Sequence, residues 1–169
     1  MTPATAAAAS RVGDDTFILV LNCGSSSIKF GLFTTTAEGA PARTPAFGGK
    51  VQGIGTDRPM LDAGTAAPRP VAVDASHPYA AALAQIRAEV TAWLAGRRVA
   101  VVAHRVVHGG SKYAAPVRVD AQVLADLRSY IPLAPLHQPF ALEAMERLLH
   151  ERPGLPQVAC FDTAFHHTL

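Results

Sequence analysis

At 169 residues, 49% hydrophobic and 17% charged, the chain is long enough to bury a core and too apolar for a disordered class. A formal charge of +2 without a block of like charges excludes the electrostatic footprint of a nucleic-acid binder. No run approaches the roughly 20 apolar residues of a membrane span, and two cysteines are too few for a secreted disulfide scaffold.

Residues 1–15 are mostly Ala, Thr and Ser and have neither the basic start nor the apolar run of a signal peptide. They are expected to be a disordered extension ahead of one domain, 16–169, in a cytoplasmic protein. Cys23 and Cys160 fall in apolar runs of strand length, where both are expected to be buried and reduced.

Phe17–Leu21 is short, continuous and partly β-branched, as a buried strand is. Gly24 and the serines after it break the run. Ile28, Phe30 and Leu32 then alternate with Lys29, Gly31 and Phe33 at a period of two. The reading is a hairpin whose tip carries Asn22, Ser25, Ser26, Ser27 and Lys29. Hydroxyls, backbone N–H groups and an ammonium all donate hydrogen bonds, so phosphate oxygens are a fitting ligand, and Asn22 could hold a Mg²⁺-bound water. The spacing is not that of a P-loop, and an ordinary serine-rich turn with a solvated lysine fits the same residues.

Residues 34–44 read as a loop and 46–52 as a third strand weakened by two glycines. The stretch from Gly53 to Asp74 offers strand-like pieces at Pro59–Leu61 and Val71–Val73. Ser76 is placed as the N-cap of a helix with Pro78 in its first turn; Leu83, Ile86, Val90, Trp93 and Leu94 form its inner stripe and Gly96 ends it. Arg97 and Arg98 mark a helix-to-strand junction.

Val99–Ala103 reads as a central strand that delivers His104 and Arg105 at its end, ahead of the loop His108-Gly109-Gly110. Ligands favour the ends of such strands, and Arg105 could fork onto a carboxylate or phosphate; a salt-bridged surface arginine fits equally. Asp120 is placed as the N-cap of a helix with Val123, Leu124 and Leu127 inward. Three prolines over 131–139 break it, and a further helix at about 139–150 buries a face of Phe140, Leu142, Met145, Leu148 and Leu149. His137 precedes that helix, where a packed or capping role is also open. Val158–Phe161 is a last strand ending at Asp162-Thr163, which a turn cap would explain as well as a site carboxylate.

Four segments together resemble the acetate kinase family. They are Asn22-Cys23-Gly24-Ser25-Ser26-Ser27-Ile28-Lys29, His104-Arg105-Val106-Val107-His108-Gly109-Gly110, Pro132-Leu133-Ala134-Pro135-Leu136-His137-Gln138-Pro139 and Phe161-Asp162-Thr163-Ala164-Phe165-His166. The resemblance implies an α/β fold of the ribonuclease H-like, actin-like ATPase kind: a mixed sheet with an N-terminal hairpin and flanking helices, here without the second, nucleotide-binding domain. It implies Mg²⁺-dependent phosphoryl transfer from ATP to acetate, or propionate, giving acetyl phosphate and ADP. Carried over by motif, Asn22 would sit by the metal and phosphate beside Ser25, Ser27 and Lys29. Arg105 would hold the carboxylate or phosphoryl group, Val107 and Leu136 would line the methyl pocket, His137 would donate to phosphoryl oxygens, and Asp162 would position the metal or an arginine. The family's members are about twice as long and typically dimeric. A homodimer or a complementing C-terminal half is therefore the expected partner, and the chain alone is expected to be inactive. A non-catalytic phosphate-binding or interaction module is the competing reading. A serine hydrolase is disfavoured by the lack of a Gly-x-Ser-x-Gly elbow.

Overall fold

The computed structural model describes residues 16–35, 39–133, 135 and 138–162. The expectations for residues 1–15, Leu136, His137 and Thr163 onward fall outside the described residues.

Among the described residues eight strands form one mixed sheet: β1 (Thr16–Cys23), β2 (Ser27–Phe33), β3 (Phe47–Gln52), β4 (Met60–Ala63), β5 (Arg69–Pro70), β6 (Arg98–Val106), β7 (Val117–Arg118) and β8 (Gln157–Phe161). Their order is β5-β4-β3-β2-β1-β6-β8-β7. The meander β1 to β5 is antiparallel because each link is a short turn or loop. The pairs β1–β6 and β6–β8 are parallel, and each spans a helical crossover. Three helices are described: α1 (Pro78–Leu94), α2 (Ala121–Arg128) and α3 (Gln138–Glu151). The expected α/β architecture is present, with β3-β2-β1-β6-β8 at its centre.

The period of two decides which face is dry. Leu21, Cys23, Ile28, Phe30, Val51 and Leu61 are buried with α1, whose inner stripe is Tyr79, Ala82, Ile86, Val90 and Leu94. A second cluster gathers Val123 and Leu127 of α2, Leu142 and Met145 of α3, and Ala159 and Phe161 of β8. The intervening strand positions, Asn22, Lys29, Lys50 and Asp62, turn to the other face. Gly49 keeps β3 close to β4, since a Cβ there would overlap the Asp62 carbonyl.

Several local expectations are corrected. The fourth strand runs over Met60–Ala63, and the next is Arg69–Pro70; Val71–Val73 is not a strand, although Val71 N–H still donates to Pro59 O at 2.9 Å. Ser76 is not the cap of α1. Asp74 Oδ1 instead accepts from the N–H groups of Ser76 and His77, both at 3.0 Å, and the capping position is His77. The residue in the left-handed conformation that closes α1 is Ala95 (φ 49°), ahead of Gly96. Strand β6 extends through Val106, so His104 and Arg105 lie within it. The edge strand β7 has only two residues, too few to carry a legible period in the sequence. Cys23 is buried as expected but Cys160 only partly so, since it alternates along β8 with the buried Ala159 and Phe161. Asp120 does cap α2, accepting from Val123 N–H at 2.8 Å. No helix among the described residues is long and apolar enough to cross a membrane.

Candidate active site

The turn between β1 and β2 is closed by Gly24 N–H donating to Ser27 O at 2.8 Å. Two supports reach it from elsewhere in the chain. Ile54 N–H donates to Ser26 O at 2.9 Å. From below, the Tyr79 hydroxyl in the first turn of α1 donates to Gly24 O and lies 3.4 Å from Ser27 O. That hydroxyl also sits beside the Cys23 thiol, whose pKa burial pushes up to about 12. Cys23 is therefore a protonated core residue, not a nucleophile.

Register then assembles a polar row. Asn22 is opposite Lys29, Lys29 opposite Lys50, and Lys50 opposite Asp62, all on the face of the sheet turned away from α1. On the other side of β1, β6 supplies Arg105. Its Nε and Nη2 donate to Asp162 Oδ1 and Oδ2 at 3.1 and 2.7 Å, and its Nη1 donates to Asn22 Oδ1 at 3.3 Å. Asp162 immediately follows β8, which is parallel to β6, so the fork closes between neighbouring strand ends. Bonding to Asp162 holds the guanidinium pKa above its already high ordinary value. The pair is half-exposed, so its worth lies in orientation more than in stability. A guanidinium has five N–H donors and three are used, leaving two for a ligand.

Asn22, Ser27, Lys29, Arg105 and Val107 all line one cleft of about 200 Å³, together with Cys23, Gly24 and Ala141. Ser25 is exposed at the tip outside the lining, and Asp162 stands behind Arg105. Of the expected site residues, those five converge; Leu136 and His137 lie outside the described residues. The next residue, Gln138, ties the cleft together. Fully buried at the start of α3, it donates from Nε2 to His108 O at 2.9 Å and accepts from His108 N–H at 3.3 Å. This clamp joins the start of α3 to the loop after Val107. Gly110 N–H donates to His108 Nδ1 at 2.8 Å, which leaves the neutral ring's proton on Nε2. The loop's glycines answer to packing: a Cβ on Gly109 would overlap Tyr113 O, and one on Gly110 (φ 64°) would overlap the Tyr130 ring.

His104, next to Arg105, plays no part in the cleft. It is buried beneath the sheet, 2.6 Å from Gln157 Oε1 through Nε2, while Gln157 Nε2 donates to Met145 O at 3.1 Å. Among the described residues its Nδ1 has no partner, and burial lowers the ring's pKa to about 4.

Among the described residues no group of three His, Cys, Asp or Glu could hold a metal alone. The oxygen donors in and behind the cleft include the Ser27 hydroxyl, Asn22 Oδ1 and the Asp162 carboxylate, of which the last two already accept from Arg105. That set suits a Mg²⁺ that arrives on phosphates with most of its waters.

Sequence reasoning gave no supporting role to Tyr79 or to Gln138, which it named only as part of a motif segment, and gave none to Lys50, which lies outside the cleft lining. Tyr79 is concealed in a helical stripe that reads as core, and only its hydroxyl distinguishes it. Lys50 stands in a glycine-rich run, and its place beside Lys29 is set by a register no local signal reveals.

A family model described as the acetokinase family matches residues 17–169. An acetate kinase of Nitrobacter hamburgensis is 46% identical over 156 residues, covering 89% of this chain and 38% of that protein. The crystal structure of Porphyromonas gingivalis acetate kinase superposes with a TM-score of 0.74 at 31% identity, over 91% of this chain and 39% of that one. A propionate kinase from Francisella tularensis gives a TM-score of 0.73, also at 31% identity, over 91% and 38%. The chain thus spans under two-fifths of the length of these relatives.

Proposed function

The chain belongs to the acetokinase family, and we propose that it carries the N-terminal part of the site at which an acetate kinase transfers phosphate from ATP to acetate. The observation that carries this reading is the convergence of Asn22, Ser27, Lys29 and the Asp162-braced Arg105 on one cleft.

Acetate is already an anion at pH 7, so the attacking oxygen needs no general base. The chemical demand is to align it with the γ-phosphoryl group and to offset the repulsion of two anions. In this reading the two spare N–H donors of Arg105 bridge the acetate carboxylate and the phosphoryl oxygens. Lys29 and the Ser27 hydroxyl hold the phosphate chain, with Ser25 at the rim. Val107, with Leu136, provides the small apolar wall against the methyl group, and His137 donates to the phosphoryl oxygens. The new bond joins an acetate oxygen to phosphorus as the bond to ADP breaks, and no proton moves. Asp162 keeps the guanidinium plane fixed and is not a base. Asn22, backed by Asp162, would contact the waters of a phosphate-borne Mg²⁺. Such an ion neutralises charge on the transferring group. A methyl wall rejects an ethyl group by only about 1–3 kcal/mol, so propionate is an expected poorer substrate.

Hydroxamate trapping of acyl phosphate from acetate and Mg-ATP tests the proposal, with the chain alone and with the C-terminal portion of the Nitrobacter relative added. The expected result is no turnover alone and turnover on addition. Silence in both, with the added portion shown to bind, would replace this reading with that of a non-catalytic phosphate-binding module.

A further inference from the structure

We propose that Lys50 is a second phosphate-chain residue, extending the site from the hairpin tip across β3 to bind a polyphosphate, where Lys29 alone would suit a single phosphate. The inference rests on the reading of the tip as a phosphate site, and it adds a residue that the four motif segments do not contain.

Lys29 and Lys50 are directly opposed in the antiparallel β2–β3 pair, so their side chains leave the same face, the one that also carries Asn22. Lys29 is exposed and Lys50 partly so. Among the described residues no carboxylate lies within ion-pair distance of either ammonium. Asp62, which is opposite Lys50 on β4, makes no such contact. Two like charges placed directly across a strand pair repel, and folding does not select such a pair for stability. Anionic oxygens between them would turn that repulsion into attraction. From β6, which carries Arg105, to β3 is three inter-strand spacings, roughly 14 Å, which is too far for one phosphate to bridge Arg105 and Lys50. A chain of phosphates laid along the row can touch Arg105, Lys29 and Lys50 in turn. Asp62 closes the row and repels any further extension of the anion.

The test measures melting temperature and dissociation constants for inorganic phosphate and tripolyphosphate, on the wild-type chain and on Lys29→Gln, Lys50→Gln and Asp62→Asn. Lys29→Gln is expected to weaken both anions. Lys50→Gln is expected to weaken tripolyphosphate by roughly ten-fold, as for loss of a hydrogen bond to a charged group, and to leave phosphate nearly unchanged. Asp62→Asn should tighten tripolyphosphate. The unliganded melting temperature of Lys50→Gln should hold or rise, since a repulsion has been removed. A fall in that temperature with unchanged tripolyphosphate affinity would show Lys50 to be a structural partner of Asp62, and would overturn the inference alone. Absence of binding of either anion to the wild type would overturn both the inference and the phosphate-site reading beneath it.

Discussion

Acid should destabilise this fold in a window set by one residue, His104. The ring is buried beneath β6, donates to Gln157, and has its pKa lowered to about 4 by desolvation. In the unfolded chain an imidazole titrates near 6.5. The folded state therefore resists the proton and the unfolded state accepts it. Stability from the neutral ring is fully present above about pH 6.5 and is lost progressively as pH falls from there, levelling off near pH 4. Between pH 7 and pH 5 the linkage amounts to about 2 kcal/mol. Asp126 acts in a different range. Lys112 first, and then Tyr113, hold its carboxyl down to about 2, so its contribution is present above its ordinary pKa near 3.8 and is lost only below it. Urea titrations followed by the fluorescence of Trp93, the single tryptophan, would measure the effect. That side chain stacks on Phe47 at a centroid distance of 5.3 Å, with the Arg97 guanidinium 4.3 Å from its ring centroid, so it reports the main core. The urea midpoint should fall by about 1 M from pH 7 to pH 5. His104→Gln, which keeps a donor for Gln157 and cannot titrate, should be less stable at pH 7 and nearly flat over the same range. Equal midpoints at both pH values in the wild type, or a slope that survives in His104→Gln, would refute the argument.

Three further outcomes concern the site and its supports. Arg105→Lys keeps the charge but loses the fork onto Asp162; acyl phosphate formation in the complemented protein should fall by about 100-fold, with little change in melting temperature. Gln138→Ala removes the partner of the His108 N–H and carbonyl at a half-buried place and should cost about 1–2 kcal/mol in denaturant titrations. Gly110→Ala combines a left-handed backbone with overlap of the Tyr130 ring; a loss of about 3 kcal/mol is expected, and Tyr130→Ala in the same chain should restore part of it.

The elements that could be read directly are those whose signal is local. The run Phe17–Leu21, the period of two from Ile28 to Phe33, the Ile86, Val90 and Leu94 part of the α1 stripe and the Asp120 cap each depend on residues within one or two turns, and each stands in the structure, while Leu83 and Trp93 of that stripe are only partly buried. The tip residues and Arg105 were legible as candidates for the same reason: short motifs keep chemistry close in sequence. What brings them into one cleft was not legible from those motifs. Asn22 meets Arg105 across 83 positions, and Arg105 meets Asp162 across 57, because β1, β6 and β8 lie side by side and end together. Tyr79 beneath Gly24, Gln138 on His108 and Lys50 beside Lys29 are of the same kind. Each is a pairing between distant segments, and its partner is fixed by strand order and register. Local propensity and periodicity carry no information about which strand will be the neighbour. The sequence by itself determined the central strands, the helices and the chemical character of the tip. Only the tertiary structure decided that Arg105 is held as a fork, that His104 is a core residue, and that Arg105, Lys29 and Lys50 share the face of the sheet turned away from α1.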